Sequence, residues 1–190
     1  MAQRFNRETC NMRPITYEDF IAARERDAAY YIPSRWDYYA RVIELAAELV
    51  PEPKSVLELG PHLLPIFPEA DTMDIAASKG PTFVHDGGKV PWPISTNAYD
   101  LFIGLQVFEH LGKTHTGERV AGWRHQAQAE AFQEVKRIAE HAIISLPWKW
   151  DKKEDLRHYG IDEETIVTWF DLRPQSQEVL GKRIILTWSF

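Results

Sequence analysis

The sequence predicts a doubly wound α/β domain, with helices on both faces of a mostly parallel sheet. Five short runs are apolar almost throughout, which is typical of strands that are buried on both faces: Ser55–Leu59, Thr72–Ile75, Thr82–His85, Asp100–Leu105 and Ala142–Leu146. Stretches with apolar residues at helical spacing precede the first run and separate the last two. With 190 residues, of which 44% are hydrophobic, the chain is long enough to bury one core.

Two helices are predicted ahead of the first strand. The pattern at Thr16–Asp19 is a weak capping box and marks the start of the first helix. Pro33 is expected to interrupt the chain, and the second helix is expected to begin at Asp37. These boundaries predict an N-terminal helical cap over residues 1–36 and a ligand-binding domain over residues 37–190.

Three further elements are predicted after the fourth strand. Residues 117–140 place apolar side chains near one helical face and lead into the fifth strand. The segment Asp162–Phe170 predicts a short helix, and Arg183–Phe190 predicts a last strand. Strands that alternate with helices in this order are typical of a parallel sheet with crossover connections.

The composition narrows the classes of partner. A net charge of −6 argues weakly against nucleic acid, because phosphate binding requires a basic surface. The single cysteine, Cys10, rules out an internal disulfide framework and fits a reducing compartment. The sequence contains neither an apolar run as long as a membrane span nor a secretory signal pattern near Met1. We therefore expect a cytoplasmic protein with a small-molecule ligand and no membrane or nucleic-acid partner.

Polar residues stand at the carboxyl ends of four predicted strands, where doubly wound sheets bind their ligands. Gly60 follows the first strand, and a residue without a Cβ lets a ligand approach the backbone closely. Asp74 ends the second strand, where an acidic residue can accept from both ribose hydroxyls. Asp86 follows the third strand and can accept from an exocyclic amine. Each residue alone is more often a cap or turn residue, but the ordered set predicts a nucleoside-containing ligand.

The connection between the first two strands is unusually short. Only thirteen residues separate Gly60 from Asp74, and prolines at 61, 65 and 68 leave no room for a full helix. A pyrophosphate is normally bound at the N-terminus of such a helix. The sequence therefore argues against NAD or ATP as the ligand and leaves a phosphate-free nucleoside.

Several segments resemble motifs of class I S-adenosylmethionine-dependent methyltransferases. The most specific is Tyr99–Leu111, which reads Tyr-Asp-Leu-Phe-Ile-Gly-Leu-Gln-Val-Phe-Glu-His-Leu. The others are Val56–Gly60, Met73–Ile75, Glu134–Ile138 and Ile143–Pro147. The resemblance covers roughly residues 37–190. It implies a Rossmann-like, mostly parallel seven-stranded sheet with an antiparallel last strand, in a single domain, and S-adenosylmethionine as the cofactor.

The resemblance also implies roles for the residues at the strand ends. Asp74 would hold the ribose hydroxyls, and Ile75 would pack on the adenine ring. Asp86 and the backbone of Gly87 would contact the edge of the adenine.

The methionine half of the cofactor would lie further along the same edge. Glu58, Gly60 and Pro61 would lie beside it, with the proline-rich loop as one wall. Gln106 and Val107 would lie near the sulfonium. Arg35, from the N-terminal segment, is a candidate partner for the cofactor carboxylate.

The expected acceptor is a small molecule or a sugar, methylated on a hydroxyl. A hydroxyl acceptor benefits from a general base, and His158, His110 and Glu109 are the candidate catalytic residues. Trp92, Trp148 and Trp150 are candidates for stacking on an acceptor ring. No metal site is expected, because no Cys-x-x-Cys pattern occurs and the histidines lack ligand spacing. The alternative is a non-catalytic binding or scaffold protein on the same fold, which the shortened loop favours.

Overall fold

A computed structural model describes residues 12–112, 125–150 and 161–190. Seven strands form one sheet in the order β3-β2-β1-β4-β5-β7-β6. The strands are β1 (Val56–Leu59), β2 (Asp71–Asp74), β3 (Phe83–Val84), β4 (Tyr99–Leu105), β5 (Ala139–Pro147), β6 (Ser176–Leu180) and β7 (Arg183–Ser189). The first five strands pair in parallel, and β7 runs antiparallel to both of its neighbours. The predicted doubly wound sheet with an antiparallel last strand is confirmed.

Four helices accompany the sheet in the described ranges. They are α1 (Tyr17–Arg26), α2 (Pro33–Leu49), α3 (Gln126–Ile138) and α4 (Glu163–Trp169). The predicted capping box is present, since Thr16 and Asp19 satisfy each other's backbone N–H groups at the start of α1. None of the described helices is long and apolar enough to cross a bilayer.

The predicted start of the second helix was wrong. Pro33 does not interrupt the chain but is the first residue of α2, four residues before Asp37. Proline is well tolerated at this position, because the first N–H groups of a helix have no partner within the helix. The helix therefore carries Arg35 in its first turn.

The sheet separates two apolar clusters, which explains why its strands read as continuous apolar runs. One cluster packs α3 and α4 on one face, around Phe102, Phe132 and Trp188. The other packs α1 and α2 on the opposite face, around Phe20 and Tyr38. Neighbouring strand residues such as those of β1 point into opposite clusters and are all buried.

One strand was not predicted. The edge strand β6 reads Ser-Gln-Glu-Val-Leu, and its side chains are exposed or half-buried. An edge strand needs no continuous apolar run, because only one of its sides pairs with a neighbour. β5 also begins at Ala139, three residues earlier than the predicted Ala142.

The buried carboxylate of Glu58 holds the loop that replaces a helix between β1 and β2. Residues 60–70 contain no helix, as expected from the prolines at positions 61, 65 and 68. Both carboxylate oxygens of Glu58 accept backbone N–H groups of this loop, from Ile66 at 2.9 Å and Phe67 at 2.7 Å. Burial raises the pKa of Glu58 to about 8, although the two N–H donors oppose the shift.

We predict that Glu58 makes the protein less stable as the pH rises from about 5 to about 8. The pKa of Glu58 is about 8 in the folded chain, against an ordinary value of 4.5, so the folded state retains a proton that the unfolded state has released. The contribution of this proton to the free energy of unfolding is complete below pH 4.5, the ordinary pKa of a glutamate. It is lost as the pH rises through the pKa of the folded state, and the free energy of unfolding falls by up to ~1.4 kcal/mol per pH unit.

Urea unfolding at a series of pH values checks this prediction. Glu58→Gln has no proton to release at this position, so its free energy of unfolding is expected to lack this slope. The variant is also expected to be less stable at low pH by about 1–3 kcal/mol, because its amide nitrogen cannot accept an N–H. Parallel curves for the two proteins would contradict the assignment.

Candidate functional site

The carboxyl ends of β1 and β4 touch at Gly60. Its backbone has φ of +61°, and its N–H donates to the carbonyl of Met73 on β2 at 2.8 Å. A Cβ on Gly60 would lie 2.8 Å from Cγ2 of Val107, closer than real Cβ contacts come. Two of the predicted site residues, Gly60 and Val107, are therefore in direct contact, and a Cβ at position 60 would force the Val107 side chain to shift.

The segment after β3 packs against the same edge. A Cβ on Gly87 would lie 3.0 Å from Leu59 at the end of β1 and 3.2 Å from Leu111 beyond β4. Asp86 closes the turn by accepting the N–H of Gly88 at 3.0 Å. The structure thus brings the backbone of Gly87 beside the end of β1 and the segment after β4.

Asp74 already has two partners. It is buried, and its Oδ1 accepts the N–H of Ala76 at 2.8 Å. Its Oδ2 lies 2.7 Å from Nζ of Lys79. Lys79 was not predicted as a site residue; a short helical turn at Ala77–Lys79 brings it back to the carboxylate. Ile75, next to Asp74, leaves the strand and is 54% exposed.

A polar cavity of about 280 Å³ lies beside Asp74. Its walls come from the proline-rich loop and from the turn after β2: Pro61, His62, Thr72, Asp74, Lys79 and Thr82. His62 stacks on Tyr30 with ring centroids 4.0 Å apart, and burial, followed by the charge of Lys79, lowers its pKa. Pro61 and Asp74, which were predicted on other grounds, therefore share one cavity.

A hydrogen-bonded chain crosses the sheet edge from β4 to α2. Gln106 has φ of +55°, and its side-chain amide and backbone N–H both reach Oγ of Ser145, each at 3.2 Å. Ser145 is fully buried and also bonds the hydroxyl of Tyr38. Neither Ser145 nor Tyr38 was predicted, because a serine and a tyrosine within apolar runs carry no distinctive signal.

The three candidate catalytic residues have different settings. Glu109 is buried in the short turn after β4, and its carboxylate lies 3.9 Å from Nε2 of His110, whose side chain is 48% exposed. His158 lies outside the described residues. Trp92, proposed for stacking on a ligand, is buried against Phe102 and donates its indole N–H to Gly87.

Two arginines lie on the α2 side of this edge. Arg35 stacks on the ring of Tyr30 at 3.9 Å, and its Nε donates to the Tyr30 carbonyl at 2.7 Å. Arg183, at the start of β7, lies with its guanidinium 5.0 Å from the ring of Tyr38. Arg35 was predicted as a site residue, whereas Arg183 was not.

Metal ligands do not cluster in the part of the chain that is described. No group of three His, Cys, Asp or Glu side chains there has an arrangement that could hold a metal ion.

The fold is that of the class I methyltransferases. N-methyltransferase NodS from Bradyrhizobium japonicum superimposes with a TM-score of 0.57 and 11% identity, over 83% of this chain and 97% of that one. The methyltransferase domain of a bacterial Hen1 gives 0.56 and 14%, over 83% and 100%. A SAM-dependent methyltransferase from Thermotoga maritima gives 0.51 and 10%, over 90% and 98%. No protein-family model and no curated protein sequence matches the chain.

We predict that Gly60→Ala destabilises the protein by about 1–3 kcal/mol more than Gly80→Ala does. The two glycines have nearly the same positive φ, +61° and +64°, so both substitutions carry the same backbone cost. Only the alanine at 60 meets a neighbour, because nothing lies within 4 Å of a Cβ at Gly80. Urea unfolding of the two variants gives the difference.

A second substitution tests the stated cause. Val107→Ala removes the methyl group that the new Cβ would meet, so it is expected to restore part of the stability lost in Gly60→Ala. Equal losses in Gly60→Ala and Gly80→Ala would show that the ends of β1 and β4 are not in the contact described.

Proposed function

We propose that this protein transfers a methyl group from S-adenosylmethionine to a hydroxyl of a small molecule or a sugar. The observation that carries the proposal is the convergence of Gly60, Gly87 and Val107 at one end of a methyltransferase-type sheet, with Asp74 ending the adjacent strand. The absence of a helix after β1 supports a ligand without a pyrophosphate.

The residues present fit the cofactor. The close contact between Gly60 and Val107 leaves backbone, rather than side chain, at the end of β1, where the methionine half would lie beside Pro61 and Gln106. Asp74 would receive the ribose hydroxyls, and the exposed side chain of Ile75 is available to pack on the adenine. Asp86 and the backbone of Gly87 would contact the adenine edge.

The chemistry at such a site is an in-line displacement. The bound sulfonium supplies an already activated methyl group, so the protein contributes mainly by holding the acceptor oxygen in line with it. Removal of the hydroxyl proton falls to a general base, for which we propose His158, with His110 and Glu109, in the turn after β4, as the alternatives.

A non-catalytic binding protein is the second candidate, and one observation favours it. Both oxygens of Asp74 are engaged, one by the N–H of Ala76 and one by Lys79. Ribose hydroxyls would have to displace the ammonium group of Lys79 or share the carboxylate with it. A chain in which Lys79 blocks this carboxylate would keep the fold without binding the cofactor.

Titration with S-adenosylhomocysteine separates the two candidates. Cofactor binding is expected to stabilise the folded chain by ~2.7 kcal/mol at about 100 times the dissociation constant. Asp74→Asn is expected to weaken binding about tenfold to a hundredfold, because it removes a charged acceptor for two hydroxyls. Calorimetry measures the affinity, and thermal unfolding measures the stabilisation.

Asp171→Asn is the matched control. Asp171 forms a comparable lysine pair, with Lys136 Nζ at 2.8 Å, but is exposed and lies outside the proposed site. It is expected to leave S-adenosylhomocysteine affinity unchanged. If Lys79→Ala binds S-adenosylhomocysteine but the unmodified protein does not, Lys79 blocks the site. If neither protein binds it, the methyltransferase proposal is wrong.

We predict that His158→Ala lowers turnover about 10²–10⁴-fold once an acceptor is known, with little change in cofactor affinity. A catalytic imidazole is expected to produce an acidic limb in the pH–rate profile near pH ~6.5. Persistence of that limb in His158→Ala would exclude His158 as the base and direct attention to His110.

A further inference from the structure

Arg183 is a half-buried cation, and no carboxylate of the described residues forms an ion pair with it. Its Nε is shielded from solvent, and within the described residues no acceptor lies within hydrogen-bonding distance of it. The guanidinium carbon lies 5.0 Å from the centroid of the Tyr38 ring. The ring attracts the positive charge, but it is not a hydrogen-bond acceptor for an N–H that lies in the guanidinium plane. A buried donor without an acceptor is costly and calls for an explanation.

A second cation lies nearby and adds to this cost. Arg35 occupies the first turn of α2, three residues before Tyr38, so both side chains lie on the same side of the helix. Burial and then the positive charge of Arg35 lower the pKa of Arg183, which still leaves an arginine protonated. No ion pair joins either arginine to a carboxylate in the described part of the chain.

The contrast with Arg41 shows that carboxylates are available on this face. Arg41 lies on the same helix and pairs with Glu44 at 2.8 Å, Glu48 at 3.1 Å and Glu178 at 2.9 Å. The chain has 28 acidic residues against 22 basic ones. Two half-buried arginines that have no carboxylate partner in the described residues are therefore a local exception, which a gain in stability does not explain.

The position of the pair relates it to the proposed methyl-transfer site. Arg183 pairs with Pro147 at the carboxyl end of β5. Arg183 lies over the ring of Tyr38. The hydroxyl of Tyr38 bonds Ser145, which in turn bonds Gln106 just after β4. The guanidinium thus lies on the ligand side of the sheet, beside the strand ends where the acceptor would enter.

We propose that Arg183, together with Arg35, forms an oxyanion subsite that binds a carboxylate or phosphate group of the acceptor. The inference rests on the proposed function and adds the acceptor's chemical class: a hydroxyl compound that also carries an anionic group. A guanidinium presents two parallel N–H donors to such a group. The ring of Tyr30 positions the guanidinium of Arg35, and the ring of Tyr38 positions that of Arg183.

Inorganic phosphate is the probe for this subsite. Phosphate is expected to raise the melting temperature of the unmodified protein, relative to sodium chloride at equal ionic strength. Arg183→Gln is expected to weaken phosphate binding about tenfold or more, since it removes a charge-assisted fork. Arg173→Gln, which removes an exposed arginine elsewhere, is the matched control and is expected to bind like the parent.

A second readout separates the acceptor's anion from the carboxylate of the cofactor. Arg183→Gln is expected to bind S-adenosylhomocysteine with unchanged affinity. If it instead loses affinity for S-adenosylhomocysteine but not for 5′-methylthioadenosine, which lacks the amino-acid half, Arg183 serves the cofactor and the acceptor subsite is refuted. If the parent protein binds phosphate through Arg183 but does not bind S-adenosylhomocysteine, the proposed function fails while the oxyanion subsite stands.

Stability distinguishes a binding role from a packing role. Without phosphate, Arg183→Gln is expected to melt no lower than the parent, because it removes a half-buried guanidinium whose shielded Nε makes no hydrogen bond within the described residues. A lower melting temperature with unchanged phosphate affinity would assign Arg183 to packing and overturn the proposal. If Arg183→Gln does not fold, Arg35→Gln, which alters a half-buried side chain, gives the same test through the second arginine.

Discussion

The pair of hydrogen bonds that Glu58 accepts is the interaction on which the ligand edge depends. A loop of prolines cannot satisfy its own backbone donors, and the N–H groups of Ile66 and Phe67 are buried with no helix to bond them. Glu58 meets this need from inside the sheet, at the end of β1. It therefore fixes the path of the loop from Gly60 onward, and with it the wall of the cavity beside Asp74.

The N-terminal segment is held by this same loop. The N–H of Ile15 donates to the carbonyl of Ile66, the hydroxyl of Tyr31 accepts the N–H of Leu63, and the ring of Tyr30 stacks on His62. These contacts set the turn from which α2 begins. Since Arg35 lies in the first turn of α2, its position over the sheet edge follows from the loop and not from the helix alone. A change at Glu58 is thus expected to disturb the acceptor side as well as the cofactor side.

The parts of the structure that could be predicted are those governed by short-range patterns. The buried parallel strands, the capping box at Thr16 and the absence of a helix after Gly60 follow from hydrophobic runs and from the stereochemistry of proline. The edge strand β6 was missed because a strand paired on one side needs no apolar run. Lys79 and Arg183 were missed for a different reason: what matters is their distance from Asp74 and Tyr38, which only the tertiary fold determines.

Glu58 and Asp74 also show that a family motif predicts where a residue lies in the fold more reliably than it predicts what the residue does. Glu58 occupies the place that the methyltransferase resemblance gives to a residue beside the cofactor, but both of its oxygens already accept loop N–H groups. In the proposed site its role is therefore to shape the loop, since both of its oxygens face the loop N–H groups that they bond. Asp74 differs, because one of its two bonds is to a lysine side chain and not to the backbone. In the proposed site, Lys79 would have to move aside at the cost of one ion pair, or share the carboxylate, for Asp74 to receive a ribose.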